Sequence, residues 1–320
     1  MSAAENPEPG LTDWQPSASP DLLRARARLL EQIRAFFAER GILEVETPLL
    51  AQAGVTDPQV QLFQSAGRYL QTSPEYAMKR LLASGSGPIY QVCKAFRREP
   101  GARLHNPEFS MLEWYRPAFD SRQLIREVED LLDKLLPPRP VTRYSYRQLF
   151  MEYADIDPFS ADLTQLSERL LAEVELDFEP VDRDTWLNLL LTHLIEPELA
   201  EMGVVFVYDY PATQAALARL RRAGEQRVAE RFEVYVDGLE LANGYAELTN
   251  PQEQAARLER EQEQLDGQGE QRDIDHRLLQ ALEFGLPDCA GVALGLDRLL
   301  MVISGAKHIR DVLAFDWERA

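Results

Sequence analysis

Apolar residues recur at close to helical spacing from Leu22 to Phe37 (Leu22, Leu23, Leu29, Leu30, Ile33, Phe36, Phe37), which predicts an amphipathic helix. Asp21, after Pro20, is the predicted N-cap, and Gly41 is the predicted stop. The next run, ILEVETP, alternates instead: Leu43, Val45 and Thr47 face one way, Glu44 and Glu46 the other. That is the pattern of a half-buried strand, ended by Pro48. Residues 73–83 (SPEYAMKRLLA) read as a helix capped by Ser73, with Pro74 at its first position. IYQVCKAF (89–96) and FSMLEWY (109–115) read as the two strands of a hairpin around a long charged loop. Long loops on rigid strands commonly carry function. A helix over 121–136 stops at Pro137, and residues 141–230 read as a largely helical excursion. FEVYVDGLELANGYAEL (232–248) is strand-like, with a hairpin turn at Asp237-Gly238. Residues 251–283 are charged helix around a Gly267–Gly269 break, and GVALGLDRLLMVI (291–303) turns from a glycine-bearing strand into an apolar helix. The sum is an α+β fold, an antiparallel sheet flanked by helices.

Length and charge narrow the picture. The chain has 320 residues, and its 45% apolar content is ample for a packed core. Residues 1–20 carry four prolines and read as a flexible tail, leaving 21–320 as one domain. No run approaches the roughly 20 apolar residues of a membrane span, and the polar, acidic start is unlike a signal peptide. Cys93 and Cys289 give neither a disulfide framework nor zinc spacing, so a cytoplasmic protein is expected. A net charge of −19 argues against a broad nucleic-acid surface, while leaving room for a local basic pocket. Arg219, Arg221 and Arg222 form a possible basic spot, read here as a solvated helix face.

Three segments could carry chemistry. FRREPGARLHNPEFSMLEWY (96–115) gathers Arg97, Arg98, Glu99, Arg103, His105, Asn106, Glu108 and Glu113 in one hairpin. Alternation places Arg97 with Glu99, and Phe109 with Met111, Glu113 and Tyr115. Such a set could grip a phosphate, a ring and an amine together. Cross-strand ion pairs on a wet surface are the plain alternative, although Phe109, Trp114 and Tyr115 among the charges suit a pocket better. In ELANGYAEL, Glu240 and Glu247 are seven apart, which on a regular strand puts them on opposite faces. A turn or bulge at Asn243-Gly244 could bring the two carboxylates to one Mg²⁺, or the segment could be a surface hairpin with unrelated acids. In GVALGLDRLL, Gly291 and Gly295 permit close backbone approach, Asp297 can cap the helix that follows, and Arg298 sits in its first turn, against the macrodipole. An anion there would satisfy both the arginine and the helix N-terminus. A packing contact with a surface arginine explains this segment about as well.

Taken in order, these segments resemble the catalytic core of class II aminoacyl-tRNA synthetases, in particular the lysyl branch. GILEVETP resembles motif 1, FRREPGARLHNPEF motif 2 and GVALGLDRLL motif 3, while TSPE, MLEWY and ELANGYAEL are similar to the lysine- and metal-binding segments between them. The resemblance spans roughly residues 14 to 320. Three departures point to a truncated paralogous family, the elongation factor P (R)-β-lysine ligases. Only about 20 residues precede the first helix, so no anticodon-binding domain and no tRNA anticodon contact are expected. Arg103 is separated from His105-Asn106 by Leu104, and Ala293 stands where the synthetases usually have glycine. WQPSAS (14–19) also matches that family.

The resemblance implies adenylation of an amino acid by ATP with Mg²⁺, then transfer of the acyl group to a lysine of elongation factor P. Arg97 and Arg298 would be catalytic, with Arg97, Arg98, Glu99, His105, Asn106, Phe109, Glu240, Leu241, Gly295 and Arg298 around ATP. Phe109 would stack on the adenine, and Glu240 and Glu247 would carry Mg²⁺. Ser73, Pro74, Glu75, Glu113, Tyr115, Glu247 and Ala293 would receive β-lysine. Motif 1 implies a homodimer. Other readings are a free lysine-adenylating enzyme, a tRNA ligase without its anticodon module, or a non-catalytic synthetase-like subunit; retention of both Arg97 and Arg298 speaks against the last.

Overall fold

The computed structural model describes residues 14–178, 180 and 182–320. Most of the predicted tail, residues 1–13, lies outside the described residues. Its remainder is not a tail: the Ser17 and Ala18 N–H groups donate to the Ala314 and Leu313 carbonyls at 2.8 and 2.9 Å. Helix α1 spans Pro20–Glu39, and its N-cap is Ser19, whose hydroxyl accepts from the Leu22 N–H, rather than Asp21. Gly41 ends it with φ +65°, as predicted. Leu29, Ile33, Phe36 and Phe37 form the buried face of α1.

Twelve strands follow among the described residues. They are β1 (Leu43–Glu44), β2 (Leu50–Ala51), β3 (Gln64–Ser65), β4 (Arg68–Leu70), β5 (Ile89–Phe96), β6 (Glu108–Pro117), β7 (Val141–Ser145), β8 (Val204–Pro211), β9 (Leu220–Ala223), β10 (Gln226–Val236), β11 (Leu239–Ala246) and β12 (Cys289–Gly295). The main sheet runs β1-β5-β6-β12-β11-β10-β8-β7, with β9 beside β10; β2, β4 and β3 form a small second sheet. Pairing is antiparallel except for β1 with β5 and β7 with β8.

The helices are α2 (Glu75–Ala83), α3 (Ser121–Leu135), α4 (Tyr146–Tyr153), α5 (Leu163–Leu171), α6 (Arg183–Leu190), α7 (Glu196–Leu199), α8 (Pro251–Gly267), α9 (His276–Gly285) and α10 (Leu296–Ser304), with a π-helical turn over Leu191–Ile195.

Two expectations fail here. The excursion 141–230 is helical only in its middle, since β7, β8, β9 and the start of β10 extend the main sheet. VVFVYDYP is a nearly continuous β-branched and aromatic run, the pattern of a strand covered on both faces, and lacks the alternation that marks a half-exposed one. The motif 1 strand shrinks to two residues at the sheet edge, where Leu43 is 56% exposed and Ile42 is buried in its place.

Alternation along the central strands divides their side chains between two layers. Leu112, Trp114, Val292, Leu294 and Ala242 pack with α1, α3 and α10 in one core. Their neighbours Glu113, Tyr115, Gly291, Ala293, Gly295 and Asn243 therefore face the opposite layer, between α2 with α9 on one side and α4 to α7 on the other. The site lies on that face.

Candidate active site

The hairpin of β5 and β6 supplies one wall, in the register Ala95 opposite Phe109 and Gln91 opposite Glu113. Arg97 and Glu99 have left the strand, so they do not share a face by alternation; the Glu99 N–H turns back onto the Arg97 carbonyl at 2.8 Å. The Arg97 guanidinium lies 5.3 Å from the Phe109 ring centroid, and its buried Nε has no partner. His105 Nδ1 meets Glu99 at 2.9 Å, and its Nε2 meets Arg298 at 3.1 Å. Arginine can only donate, so Nε2 accepts and the imidazole carries its proton on Nδ1, aimed at Glu99. Arg298 also donates to the Glu240 carbonyl at 2.8 Å. Arg298 and Arg97, two hundred positions apart, both act electrostatically on the carboxylate of Glu240.

Asp297 does not cap α10; Gly295 occupies that position. The Asp297 carboxylate is buried, accepting from the Ser110 N–H at 2.7 Å and from Arg26 at 2.5 Å. It ties α1, β6 and α10 together beneath Phe109 and Arg298. At Gly295 a Cβ would find only the Arg298 stem, at 3.8 Å. The protein's own packing does not require glycine there, which leaves that surface open to a ligand.

The bulge expected at Asn243-Gly244 lies elsewhere. Val234 pairs with Ala242 and Tyr235 with Glu240, so Leu241 is the extra residue. Without it Glu240 would point into the core; with it, Glu240 turns to the site face. Leu241 itself is buried, so only its backbone can serve a ligand. Gly244 is regular strand and makes room for Phe232, whose ring a Cβ would approach to 2.4 Å.

Glu240 and Glu247 share a face but not a site. They stand at opposite ends of β11, roughly 20 Å apart at strand rise. The predicted shared Mg²⁺ fails for this reason. Glu240 instead lies opposite Tyr235 on the adjacent strand, where Glu233 acts on it electrostatically. Burial and Glu233 push the Glu240 carboxyl up, while Arg298, Arg231 and Arg97 pull it down. Burial, Glu240 and Glu233 also raise Glu196, at the start of α7, to about 7. The sequence reading missed Glu196 and Glu233; only the fold brings them beside Glu240. Among the described residues no group of three or more His, Cys, Asp or Glu forms a metal site. A Mg²⁺ held largely by phosphate oxygens needs only one or two carboxylates, and Glu240 can supply one; Glu233 is committed, accepting from Arg231 on Oε1 at 2.5 Å and from Tyr210 and Tyr235 on Oε2 at 2.6 and 2.7 Å.

The second half of the site surrounds Lys79. This ammonium is buried, 2.7 Å from Glu75 and 2.6 Å from Glu247. Glu113 accepts from Tyr115 at 2.6 Å and from Ser73 at 2.8 Å, and the Ser73 hydroxyl accepts the Glu75 N–H at 3.0 Å. Gly291 makes this packing possible, since a Cβ would come within 2.3 Å of the Tyr115 ring and 2.6 Å of Glu247. Ala293 stands opposite both Glu113 and Asn243 in the register. The Asn243 Oδ1 is buried without a partner, an acceptor free for a ligand that the sequence reading had cast as part of a turn. Lys79 was also missed, because at i+4 from Glu75 it reads as an ordinary exposed helix pair.

Burial, together with Glu75, raises Glu113 to about 8, against the lowering bonds from Tyr115 and Ser73. Burial raises Glu247 to about 7, although Lys79 opposes it. With all groups ionised, Glu75, Glu113 and Glu247 outnumber Lys79 by three to one, leaving two negative charges uncompensated.

Two predicted ligands point elsewhere. Arg98 is exposed and reaches Gln61 at 3.3 Å. The Asn106 amide is spent on structure, donating to the Glu108 carbonyl at 2.6 Å and accepting the Trp317 N–H at 3.1 Å. Pro74 is buried at the start of α2, and Phe109 is half-buried beside Arg97.

Residues 10–319 match the class II tRNA synthetases (D, K and N). The chain belongs to that family. It is 49% identical over 319 residues to the elongation factor P--(R)-beta-lysine ligase of Pasteurella multocida, covering 96% of this chain and 98% of the relative. The protein of that name from Salmonella typhi is 50% identical over 326 residues, with the same coverage. This class II chain therefore has relatives named as ligases that match it over 98% of their own length.

Proposed function

We propose that this chain joins (R)-β-lysine to a lysine of elongation factor P at the expense of ATP. The observation that carries the reading is the two-part site: a nucleotide half around Arg97, Phe109 and Arg298, and beside it a pocket that gathers three carboxyl groups, Glu75, Glu113 and Glu247, around the single ammonium of Lys79. A substrate with two ammonium groups neutralises that pocket, and its carboxylate is left to face the free Arg97 guanidinium.

In the first step the substrate carboxylate attacks the α-phosphorus of ATP and pyrophosphate leaves. The chain's contribution is positioning and charge neutralisation. Arg97 holds the carboxylate and the α-phosphate together, and Phe109 stacks on the adenine. Arg298, held by His105 and the Glu240 carbonyl, takes the terminal phosphates. Bound Mg²⁺ would supply further charge neutralisation on the phosphates, held on the protein side by Glu240. Glu75 takes the amine near the carboxylate, Glu113 and Glu247 take the other, and Asn243 accepts from either. In the second step the acceptor ε-amine, having lost its proton, attacks the acyl carbon and AMP leaves.

The enzyme works as a homodimer through the motif 1 edge. Supporting this, Leu43 on β1 is 56% exposed, and Leu49, just past Pro48, is 41% exposed. Among the described residues no helix is long and apolar enough to cross a membrane. Intact-mass measurement of elongation factor P after incubation with the chain, ATP and (R)-β-lysine tests the proposal. A gain of one lysyl unit is expected; an unchanged mass, with tRNA charged instead, would overturn it.

A further inference from the structure

A cavity of about 640 Å³ opens on the outer side of α2, apart from the pocket around Lys79. The two share a wall. Ser73 and Pro74 line the cavity, while the Ser73 hydroxyl bonds Glu113 inside the pocket.

Arg68, Arg80 and Arg277 converge on this cavity from β4, α2 and α9. All three are exposed, and among the described residues none of their side chains makes an ion pair or a hydrogen bond. At the other basic spot Arg219 pairs with Glu230 and Asp288 and Arg221 with Asp209, while Arg222 is unpaired among the described residues; Arg221 and Arg222 lie on β9 and Arg219 directly before it, not on the predicted solvated helix. Asp275 also lines the cavity, but its carboxylate is committed to α9, accepting from the Arg277 and Leu278 N–H groups at 2.9 and 3.1 Å. Asp273 is the remaining acid on the lining.

We propose that this cavity docks an acidic segment of the protein acceptor, next to the lysine that is modified. The inference rests on the ligase reading above. Transfer requires a second protein to settle over the pocket mouth, and most of this acidic surface repels an acidic visitor. Three unpaired guanidiniums beside the pocket attract one and fix its orientation.

The test is the double variant Arg80→Glu/Arg277→Glu, assayed as the full chain in two reactions. Pyrophosphate exchange with β-lysine should stay within about twofold, since neither residue touches the pocket or the nucleotide half. Transfer to elongation factor P should fall by about tenfold or more, through KM and not kcat, and the gap should narrow at about 0.5 M salt. Arg80→Lys/Arg277→Lys should retain most transfer, and melting temperatures confirm that each variant folds. Unchanged transfer in the charge-reversed protein would overturn the docking site. So would a parallel fall in exchange, which would assign the cavity to amino-acid activation, or a tRNA complex of the native chain that the reversal abolishes. Absence of exchange in the native chain would instead remove the ligase reading itself.

Discussion

Arg298 and His105 stand 3.1 Å apart across 193 residues of chain, and their contact joins the motif 3 helix to the motif 2 loop. The loop is also held by backbone bonds, by Arg98 on Gln61 and by Asn106 on Trp317. Arg298 therefore both presents a charge to the nucleotide and fixes one side of its pocket.

Replacing either arginine separates folding from chemistry. Arg97→Ala should lower pyrophosphate exchange by about 10²–10³-fold, the usual cost of a lost oxyanion donor. Its buried Nε has no protein partner, so the melting temperature should barely move. Arg298→Ala should lose exchange similarly and also raise the KM for ATP, because His105 and its loop lose an anchor. Normal exchange in Arg97→Ala would remove it from the phosphate site.

These placements were legible in the sequence to different depths. The motif residues lie on local elements whose signals are strong, namely the hairpin of β5 and β6, the Pro74 start of α2, and the glycine-bearing strand before α10. Glu240 was found for the right reason, a bulge, at the wrong residue, since Leu241 and not Asn243-Gly244 is inserted. Lys79, Glu196 and Glu233 were invisible because their roles depend on which strands and helices meet. A glutamate–lysine pair four apart looks the same in sequence whether it faces water or the interior. The parallel pair of β7 and β8 was missed for a related reason, its apolar run lacking the period of two by which exposed strands are recognised.

The pocket acids impose a pH dependence. Folding raises Glu113 to about 8 and Glu247 to about 7, above their ordinary carboxylate range, so the folded state binds more protons than the unfolded one between about pH 4.5 and 8. Stability of the free enzyme should therefore decline as pH rises through that window. A diammonium ligand binds the ionised acids, so β-lysine affinity should climb about tenfold or more from pH 6 to pH 8. Calorimetric titration at the two pH values checks both, with melting temperature read alongside. A flat affinity would mean that the acids are not the amine acceptors.

Lys79 should be more than a structural counter-ion. Lys79→Met leaves Glu75 and Glu247 facing each other in a buried site, a loss of about 3 kcal/mol in stability. The KM for β-lysine should rise while that for ATP holds. The pair Lys79→Met/Glu247→Gln restores the pocket's net charge and should recover most of the stability but not the substrate affinity, because one amine acceptor is gone. Equal rises in both KM values would indicate general disruption.

The exposed leucines at the β1 edge make a separate claim. Leu43→Asp should convert a dimer to a monomer in light scattering and sedimentation, since Leu43 contributes little to the internal core. A native chain that sediments as a monomer would exclude the motif 1 interface.

Ala293 bears on which lysine isomer is preferred. Its position in the register, opposite Glu113 on one side and Asn243 on the other, puts its methyl on the floor between the amine acceptors and the nucleotide half. α-Lysine carries its amine one carbon nearer the carboxylate than β-lysine does, so the two place that amine differently when the carboxylate is held by Arg97. A methyl on the floor of a closed pocket shifts such a preference by roughly 1–3 kcal/mol. The native chain should therefore activate β-lysine better than α-lysine, and Ala293→Gly should narrow the gap by about tenfold, read as kcat/KM in pyrophosphate exchange. The variant has little reason to unfold, because its backbone pairs are kept and the methyl is only half-buried. If Ala293→Gly left the ratio untouched, discrimination would have to come from the spacing of Glu75, Glu113 and Glu247 alone.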